Sequence, residues 1–432
     1  MRFLLLVVGI FTILTGSLPV WSAEPVIKEG AHLTLEQCID IAARNQPSIL
    51  QYLYTAQASE ASLGQARASY YPQVDVRSSF TGYNAITKYG DPYSPLSQYG
   101  YNYNSNNVSV QQKIYDFGKR EANVDVARMN VQSAQSDVDN QIIAVVNTVK
   151  SSYYNVLRAK RARDVNVEAR DQYREQLQQS KFFFGAGKKP KYDVTTAEVN
   201  LSNAEVNLIN AENDLDNAWV ALNNAMGYDG AAKYTIRDTL VPEPYQITEQ
   251  AALDQAYKNR QDLKSLLMQK ASAEKALDAA RRDYFPSLDA SAGYDFAGSQ
   301  TPLSQGWNAG VTLSWNLFKG LSTKKEIEKA TANFKVTEAK IAALKLSIQQ
   351  DIKKALLDLK KARETIANTD VQVKQATENL ELANLRYRTG LGTPLDVTNA
   401  TVAFSNAKLT QIAAIYHHII SKANIERAMG NR

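Results

Sequence analysis

The fold is decided by one stretch, Lys119 to Phe184, which reads KREANVDVARMNVQSAQSDVDNQIIAVVNTVKSSYYNVLRAKRARDVNVEARDQYREQLQQSKFFF. It contains neither proline nor glycine. Its apolar residues recur at steps of three or four, the pattern of a helix that packs through a narrow stripe; they include Val124, Ala127, Val131, Ala134, Val138, Ile142, Val145, Val149, Tyr153 and Val156. At roughly 1.5 Å per residue, this helix would be about 100 Å long. Such a rod does not fit inside a compact domain.

The overall composition excludes two classes of protein. The chain has 432 residues, of which 44% are hydrophobic and 22% are charged, so it is neither disordered nor broadly embedded in a membrane. Its formal net charge of +5 is small for this length, and the cations form no continuous stripe. Nucleic-acid binding is therefore not expected.

The N-terminus has the pattern of a signal peptide, predicted over residues 1–22. Arg2 is followed by the apolar run Phe3 to Leu14 and then by a cleavage region that ends with the small residues Ser22 and Ala23. Cleavage is expected after Ser22 or Ala23, with Ser22 favoured. A membrane anchor is the alternative, but about a dozen apolar residues are too few to span a bilayer. The chain is predicted to be exported.

The single cysteine and the rest of the hydropathy pattern narrow the class further. Cys38 is the only cysteine, so no intrachain disulfide can form, and a buried, hydrophobic role is expected. Cys38 lies well past the signal peptide, which argues against lipidation. After that peptide no run reaches 18 apolar residues, so any membrane span must consist of strands.

The chain contains an internal repeat. Tyr71-Pro72 is echoed by Phe285-Pro286, 214 residues later, and Leu33 to Gln37 is echoed by Ile247 to Ala251 at the same separation. Gly187 and Gly390 begin a third pair of similar segments. Collinear echoes of this kind indicate duplication. We assign the first copy to residues 23–226, an equatorial linker to 227–246 and the second copy to 247–432.

Each copy is predicted as a short helix, two strands, a long helix, a glycine turn and a second short helix. The predicted ranges are about 34–69 and 248–283 for the first short helices, 72–83, 103–115, 286–296 and 307–317 for the strands, 118–184 and 320–386 for the long helices, and 191–226 and 396–430 for the last helices. Two short helices stacked end to end would have about the same length as one long helix. Together they would give a cylinder wall of uniform height. A free dimeric coiled coil would instead show sustained heptads and no strands.

The predicted strands have one apolar and one polar face. In the second copy Leu288, Ala290, Ala292, Tyr294 and Phe296 alternate with polar residues and glycine. Each run has the length of a tilted transmembrane strand. A soluble sheet with one face on a core is the alternative. Aromatic residues expected at the membrane interface are Tyr71, Tyr115, Phe285, Trp307, Trp315 and Phe318. Four strands cannot close a barrel, but three copies would give twelve.

The sequence resembles the TolC family of outer-membrane efflux proteins over essentially the whole mature chain. The resemblance rests on Leu33 to Gln37, on the Tyr-Pro and Phe-Pro strand entries, on Tyr115 to Gly118, and above all on Arg386 to Val397. It implies a mainly α protein with a transmembrane β part: a homotrimeric, 12-stranded barrel continuous with a periplasmic α-helical barrel. It also implies three kinds of partner, namely a periplasmic adaptor protein, an inner-membrane transporter and outer-membrane lipid.

The two glycine turns are expected at the periplasmic tips of the rods. Glycines can end a helix and reverse the chain, and a proline fits the first turn of the returning helix. The residues expected at the tip turns and at adaptor docking are Gly185, Gly187, Lys188, Pro190, Gly390, Gly392, Thr393 and Pro394. In the simplest interpretation they do no more than shape the tips.

A gate is the functional interpretation of these tips. Asp193 and Asp396 begin the returning helices, where the helix dipole favours a carboxylate. The resemblance implies that Asp396 lines a constricted entrance, although it could simply cap its helix. A second acidic position of some family members is Asn399 here, which argues against strong binding of divalent cations. Arg388, Tyr387 and Lys188 could link neighbouring tips, remain solvated or contact the adaptor.

The remaining motifs argue against catalysis. The chain has three histidines and one cysteine, and it lacks the HExxH, GxSxG and P-loop patterns. No enzymatic activity, cofactor or metal site is expected. The rival interpretation is a periplasmic coiled-coil adaptor or scaffold protein. The cargo is not encoded in these motifs: drugs, metals and secreted proteins all fit an outer-membrane export duct.

Overall fold

The computed structural model describes residues 27–83, 101–230, 233–238, 245–299 and 302–431. The predicted signal peptide lies outside these residues. Within them the chain is mainly helical, with a smaller β part, as expected for the predicted fold class. No helix of the described residues is long and apolar enough to cross a membrane.

The element order is duplicated. The first copy comprises β1 (His32–Leu33), α1 (Leu35–Asn45), α2 (Pro47–Ala68), β2 (Gln73–Tyr83), β3 (Tyr101–Tyr115), α3 (Lys119–Gly185) and α4 (Lys191–Met226). The second copy comprises β4 (Thr235–Ile236), α5 (Glu249–Asn259), α6 (Gln261–Arg281), β5 (Ser287–Gly298), β6 (Ser304–Ser314), α7 (Ser322–Arg388) and α8 (Pro394–Ala428). The two long helices, α3 and α7, each have 67 residues.

The first short helix of each copy is interrupted, which corrects the prediction of continuous helices over 34–69 and 248–283. Gln46 and Arg260 are extended, with ψ of 114° and 121°, and separate α1 from α2 and α5 from α6. Pro47 explains the first break, because proline disfavours the helical conformation of the preceding residue. At the second break the Arg260 guanidinium binds Asp262 and Asp351.

The end of another helix packs against each break. Gln46 Nε2 donates to the carbonyl oxygens of Asn224 and Ala225 in the last turn of α4. A Cβ on Gly227 would lie only 2.8 Å from the Asn45 carbonyl oxygen, and a Cβ on Gly430 would lie 2.8 Å from the Arg260 nitrogen. Hence α4 stacks on α2, and α8 stacks on α6. The stacked pairs contain 36 and 22 residues, and 35 and 21 residues.

A small equatorial layer surrounds the first break. Strands β1 and β4 pair in parallel, with His32 opposite Thr235, and α1 packs against the middle of α3. Cys38 and Tyr153 are fully buried in the apolar cluster beneath them. Burial raises the pKa of the Cys38 thiol to about 12, so the thiol stays neutral. This matches the buried, hydrophobic role expected for Cys38.

The long helix α3 is the centre of the helical part. It packs against α2 and α4 of its own copy and against α6 and α8 of the other copy. By contrast, α7 packs chiefly against α5, α6 and α8. One flank of α7 and the outer flanks of α2 and α4 are thus uncovered. The large apolar side chains exposed there include Leu346, Leu357, Val371 and Leu385 on α7, and Val199, Val206, Ile209 and Val220 on α4.

The four long strands form one antiparallel sheet in the order β2-β3-β5-β6. Asp75 is opposite Ser109, and Lys113 is opposite Asp289, so one face is polar from strand to strand. Ala290 is opposite Val311 on the other face, which is mostly apolar. The sheet ends at β2 and β6, whose outer edges pair with no other described strand.

The strand β6 is shifted toward the N-terminus relative to the sequence prediction. It ends at Ser314, so Trp315 and Phe318 follow the strand instead of continuing its alternation. The Trp315 indole nitrogen donates to the Tyr284 carbonyl oxygen at 3.0 Å, which draws this residue away from the ladder.

Candidate functional site

The two helical hairpins, α3–α4 and α7–α8, end in turns of the same design. Gly187 and Gly390 have φ of +68° and +82°. Lys188 N donates to Phe183 O, and Leu391 N donates to Arg386 O, both at 2.9 Å. This bonding pattern, with a left-handed glycine, is the Schellman motif that closes many helix ends.

The other two tip glycines play different parts. Gly185 is the last residue of α3. Gly392 lies against the end of α7: a Cβ at this position would be 3.0 Å from the Tyr387 nitrogen. Only glycine therefore fits at 392 without a shift of the turn.

The returning helices start differently. At α8 the Thr393 and Asp396 side chains form a capping box: Asp396 N donates to Thr393 Oγ1 at 3.2 Å, and Thr393 N donates to Asp396 Oδ2 at 2.9 Å. Pro394 occupies the first turn. At α4 the cap is Pro190, without a side-chain hydrogen bond, and Asp193 is buried. The prediction of carboxylates at both helix starts agrees with this geometry.

Hydrogen bonds lower the pKa of the Asp396 carboxyl. The largest cause is the bond from the Thr393 backbone, followed by the Thr393 hydroxyl, and the charge of Arg386 adds to them. Asp396 is therefore ionised at neutral pH. Arg388, Lys188 and Asn399 are exposed on the same tips. The structure shows capping by Asp396.

Tyr387 is buried inside the single chain, where it lies between the two hairpin tips. Its side chain is 1% exposed, and its hydroxyl lies 3.1 Å from Ser180 Oγ. The Phe183 ring meets it edge-on at a centroid distance of 5.9 Å. The surrounding apolar cluster comprises Leu380, Ala383, Val397, Ala400 and Phe404. Tyr387 thus joins α3 to α7 and α8 within one protomer.

A second link between the hairpins was missed by the sequence analysis. Thr398 Oγ1 on α8 accepts hydrogen bonds from Gln176 on α3 at 3.4 Å and from Asn200 on α4 at 3.0 Å. Gln176 also donates to the Pro394 carbonyl oxygen at 3.1 Å. Gln176 and Ser180 continue the buried stripe of α3 beyond Tyr173. Their three- and four-residue spacing, which the buried apolar residues of α3 share, could have indicated this link in the sequence. We call Ser180, Tyr387, Gln176, Asn200 and Thr398 the tip links.

The predicted interface aromatics lie at the other end of the helices, in and beside the sheet. Phe117 stacks on Phe285 at a centroid distance of 5.3 Å and meets the Tyr115 ring edge-on. Trp307 is opposite Tyr294 within the sheet. The side chains of all six predicted interface residues are exposed in the single chain: Tyr71, Tyr115, Phe285, Trp307, Trp315 and Phe318.

The described residues contain no group of three or more histidine, cysteine, aspartate or glutamate side chains that could hold a metal ion. The tips instead offer glycine turns, two differently capped helices and hydrogen bonds between hairpins.

Comparison with known proteins defines the class. The sequence matches the outer membrane efflux protein family over residues 38–228 and 252–431, which covers both repeats. The chain therefore belongs to the outer membrane efflux protein family. It is 23% identical to the outer membrane protein TolC of Escherichia coli, over 92% of this chain and 82% of that protein. It is 25% identical to the protein CyaE of Bordetella pertussis, over 79% of this chain and 72% of that protein.

The solved structures agree in fold. The Campylobacter jejuni CmeC outer membrane channel superposes with a TM-score of 0.80 at 19% identity, covering 92% of this chain and 85% of that one. The predicted resemblance to the TolC family, the mainly α fold with a β part and the outer-membrane location are confirmed. The family match also favours a channel component over an enzyme.

Proposed function

We propose that the chain forms an outer-membrane exit duct as a homotrimer. The observation that carries this proposal is the four-stranded sheet with one apolar face and two unpaired edges. In a bilayer every backbone polar group needs a partner, so an open sheet edge is not tolerated. Pairing β6 of one copy with β2 of the next would satisfy both edges. Three copies would then supply twelve strands.

The helical flanks support the same arrangement. The helix α4 carries 1 Lys or Arg against 6 Asp or Glu, while α7 carries 14 Lys or Arg against 9 Asp or Glu. Both helices expose large apolar side chains on their uncovered sides. Opposite charge beside apolar surface is what two complementary faces of one interface require. In the proposed trimer, α7 of one copy would pack on α2 and α4 of the next.

The two ends of the duct would have different partners. The apolar sheet face and the aromatic residues around it fit outer-membrane lipid. The hairpin tips, at the far end of the long helices, would face a periplasmic adaptor protein and, through it, an inner-membrane transporter. A periplasmic adaptor or scaffold protein was the alternative, but the efflux-protein family match spans both repeats.

Opening is proposed to occur at the tips, by separation of the α7–α8 hairpin from the α3–α4 hairpin. The tip links are the polar contacts that such a movement would break. Asp396 would line the entrance while capping α8. Arg388, Lys188 and Asn399, which are exposed beside it, would also lie at this entrance.

The proposal is tested by recording currents from the purified protein in planar bilayers. Wild-type protein is expected to form pores. Ser180→Ala removes the bond to Tyr387 and Thr398→Val removes the bonds from Gln176 and Asn200, so each should raise the single-channel conductance or the open fraction. Thr410→Val is the control, because the Thr410 hydroxyl bonds only within its own helix, to Asn406 O.

The outcomes separate two parts of the proposal. A protein that forms no pore would contradict the duct. Pores that behave identically in wild type, Ser180→Ala and Thr398→Val would contradict opening at the tip links.

A further inference from the structure

The hairpin tips carry most of the net charge of the chain. Residues 181–193 and 385–396 contain six cationic side chains, Lys181, Lys188, Lys189, Lys191, Arg386 and Arg388, and two carboxylates, Asp193 and Asp396. Their surplus is four positive charges. The whole chain has 49 Lys and Arg against 44 Asp and Glu, a surplus of five. The rest of the chain therefore has a surplus of one positive charge.

Of the two carboxylates at the tips only Asp396 is exposed, whereas all the cations except the half-buried Lys189 are exposed. Asp193 is buried, and Asp396 is held by Thr393 at the positive end of α8. Lys188, Lys191 and Arg388 are exposed, and no ion pair of the described residues includes them. Lys181 is paired with Glu198 at 3.5 Å, and Lys189 lies over the Tyr387 ring. An approaching solute therefore meets mainly cations.

We propose that the tips form a basic mouth which selects solutes of net negative charge. This inference rests on the proposed trimeric duct, in which six hairpin tips would surround one entrance. Rings of Lys and Arg are a known device for anion selectivity in pores. The carboxylate ring expected from Asp396 would favour cations, but the exposed lysines and Arg388 outnumber it at the mouth.

Salt should weaken the selectivity in a predictable way. The Debye length is about 10 Å at 0.1 M salt and about 3 Å at 1 M. The field of the charges at the mouth therefore extends farther into the pore at the lower concentration. Anion preference should therefore be strongest in dilute salt and decline as the salt concentration rises.

The reversal potential across a potassium chloride gradient measures this preference near pH 7. Wild-type pores are expected to pass chloride in preference to potassium. Replacing both Lys188 and Lys191 by Gln should lower the chloride-to-potassium permeability ratio, and replacing both by Glu should lower it severalfold and favour potassium. The control is Lys258→Glu with Lys264→Glu, the same charge change at exposed positions on α5 and α6.

Two results would overturn the basic mouth while leaving the duct intact: wild-type pores that prefer potassium, or tip and control variants that shift the reversal potential equally. A protein without any conductance would refute the duct itself and, with it, the basic mouth.

Discussion

His418 is a titratable residue buried in the helical wall, on α8 away from the tips. Its side chain is 6% exposed. Burial lowers its pKa, and the nearby charges of Lys422 and Arg363 lower it further. The unfolded chain therefore binds a proton at higher pH than the folded chain does. Between the two pKa values stability falls as the pH falls, because protonation favours the unfolded state.

We expect the apparent unfolding temperature of the wild-type protein to drop between about pH 7 and pH 5, across the ordinary range of histidine. His418→Gln should make this drop smaller. His417→Gln is the matched control, because His417 is exposed at the preceding position of the same helix. An unchanged pH profile in His418→Gln, or an equal change in both variants, would show that His418 is not the group responsible.

Single residues also show where sequence reasoning reaches its limit. The capping box of Thr393 and Asp396 is local, because its partners are three residues apart, and the sequence therefore predicted a carboxylate there. Tyr387, in contrast, was grouped in the sequence with the polar residues of the tips. Its burial depends on Ser180, 207 residues away, and on the apolar residues of α8. No pattern among neighbouring residues in the sequence predicts such a long-range contact.

At the scale of elements, we call the contacts where α4 stacks on α2 and α8 stacks on α6 the joints. Of the features of the fold, the joints depend most on residues that are distant in the sequence. Gly227 and Gly430 have φ of +64° and +79° and touch the breaks at Gln46 and Arg260. The Pro47 signal for the first break was present in the sequence. Nothing local marks Arg260, whose conformation depends on Asp351 and on the end of α8. The strand faces, in contrast, follow from alternation alone.

Gly430→Ala and Gly227→Ala should destabilise the protein by more than the roughly 1–2 kcal/mol that a left-handed alanine costs. The added Cβ would also collide with backbone atoms of the joint. Gly30→Ala provides the control, since Gly30 has φ of +76° with no atom within 4 Å of its added Cβ. The unfolding temperatures of the three variants would be measured and compared with that of the wild-type protein. Equal losses would mean that the joints are not tightly packed.

At the scale of the whole molecule, the duplicated chain resembles a segment of a wall. It has a four-stranded sheet with two open edges, two flanks of opposite charge and two hairpin tips at one end. Duplication and strand length in the sequence were sufficient to predict the strands and the hairpin tips, but not the opposite charges of the flanks. The proposed trimer is inferred from the edges and flanks that the single chain leaves uncovered.

The most direct test of the trimeric duct is disulfide crosslinking between β2 and β6. Val76 on β2 and Val311 on β6 are both exposed on the apolar face of the sheet. Val76→Cys would be combined in turn with Ala309→Cys, Val311→Cys or Leu313→Cys, which covers neighbouring registers. Single-cysteine variants are the controls, because the natural Cys38 is fully buried. A closed ring limits the covalent product to its own number of copies. We predict covalent species that stop at three copies. Products that continue beyond three, or that never exceed one at every register, would contradict the trimeric duct.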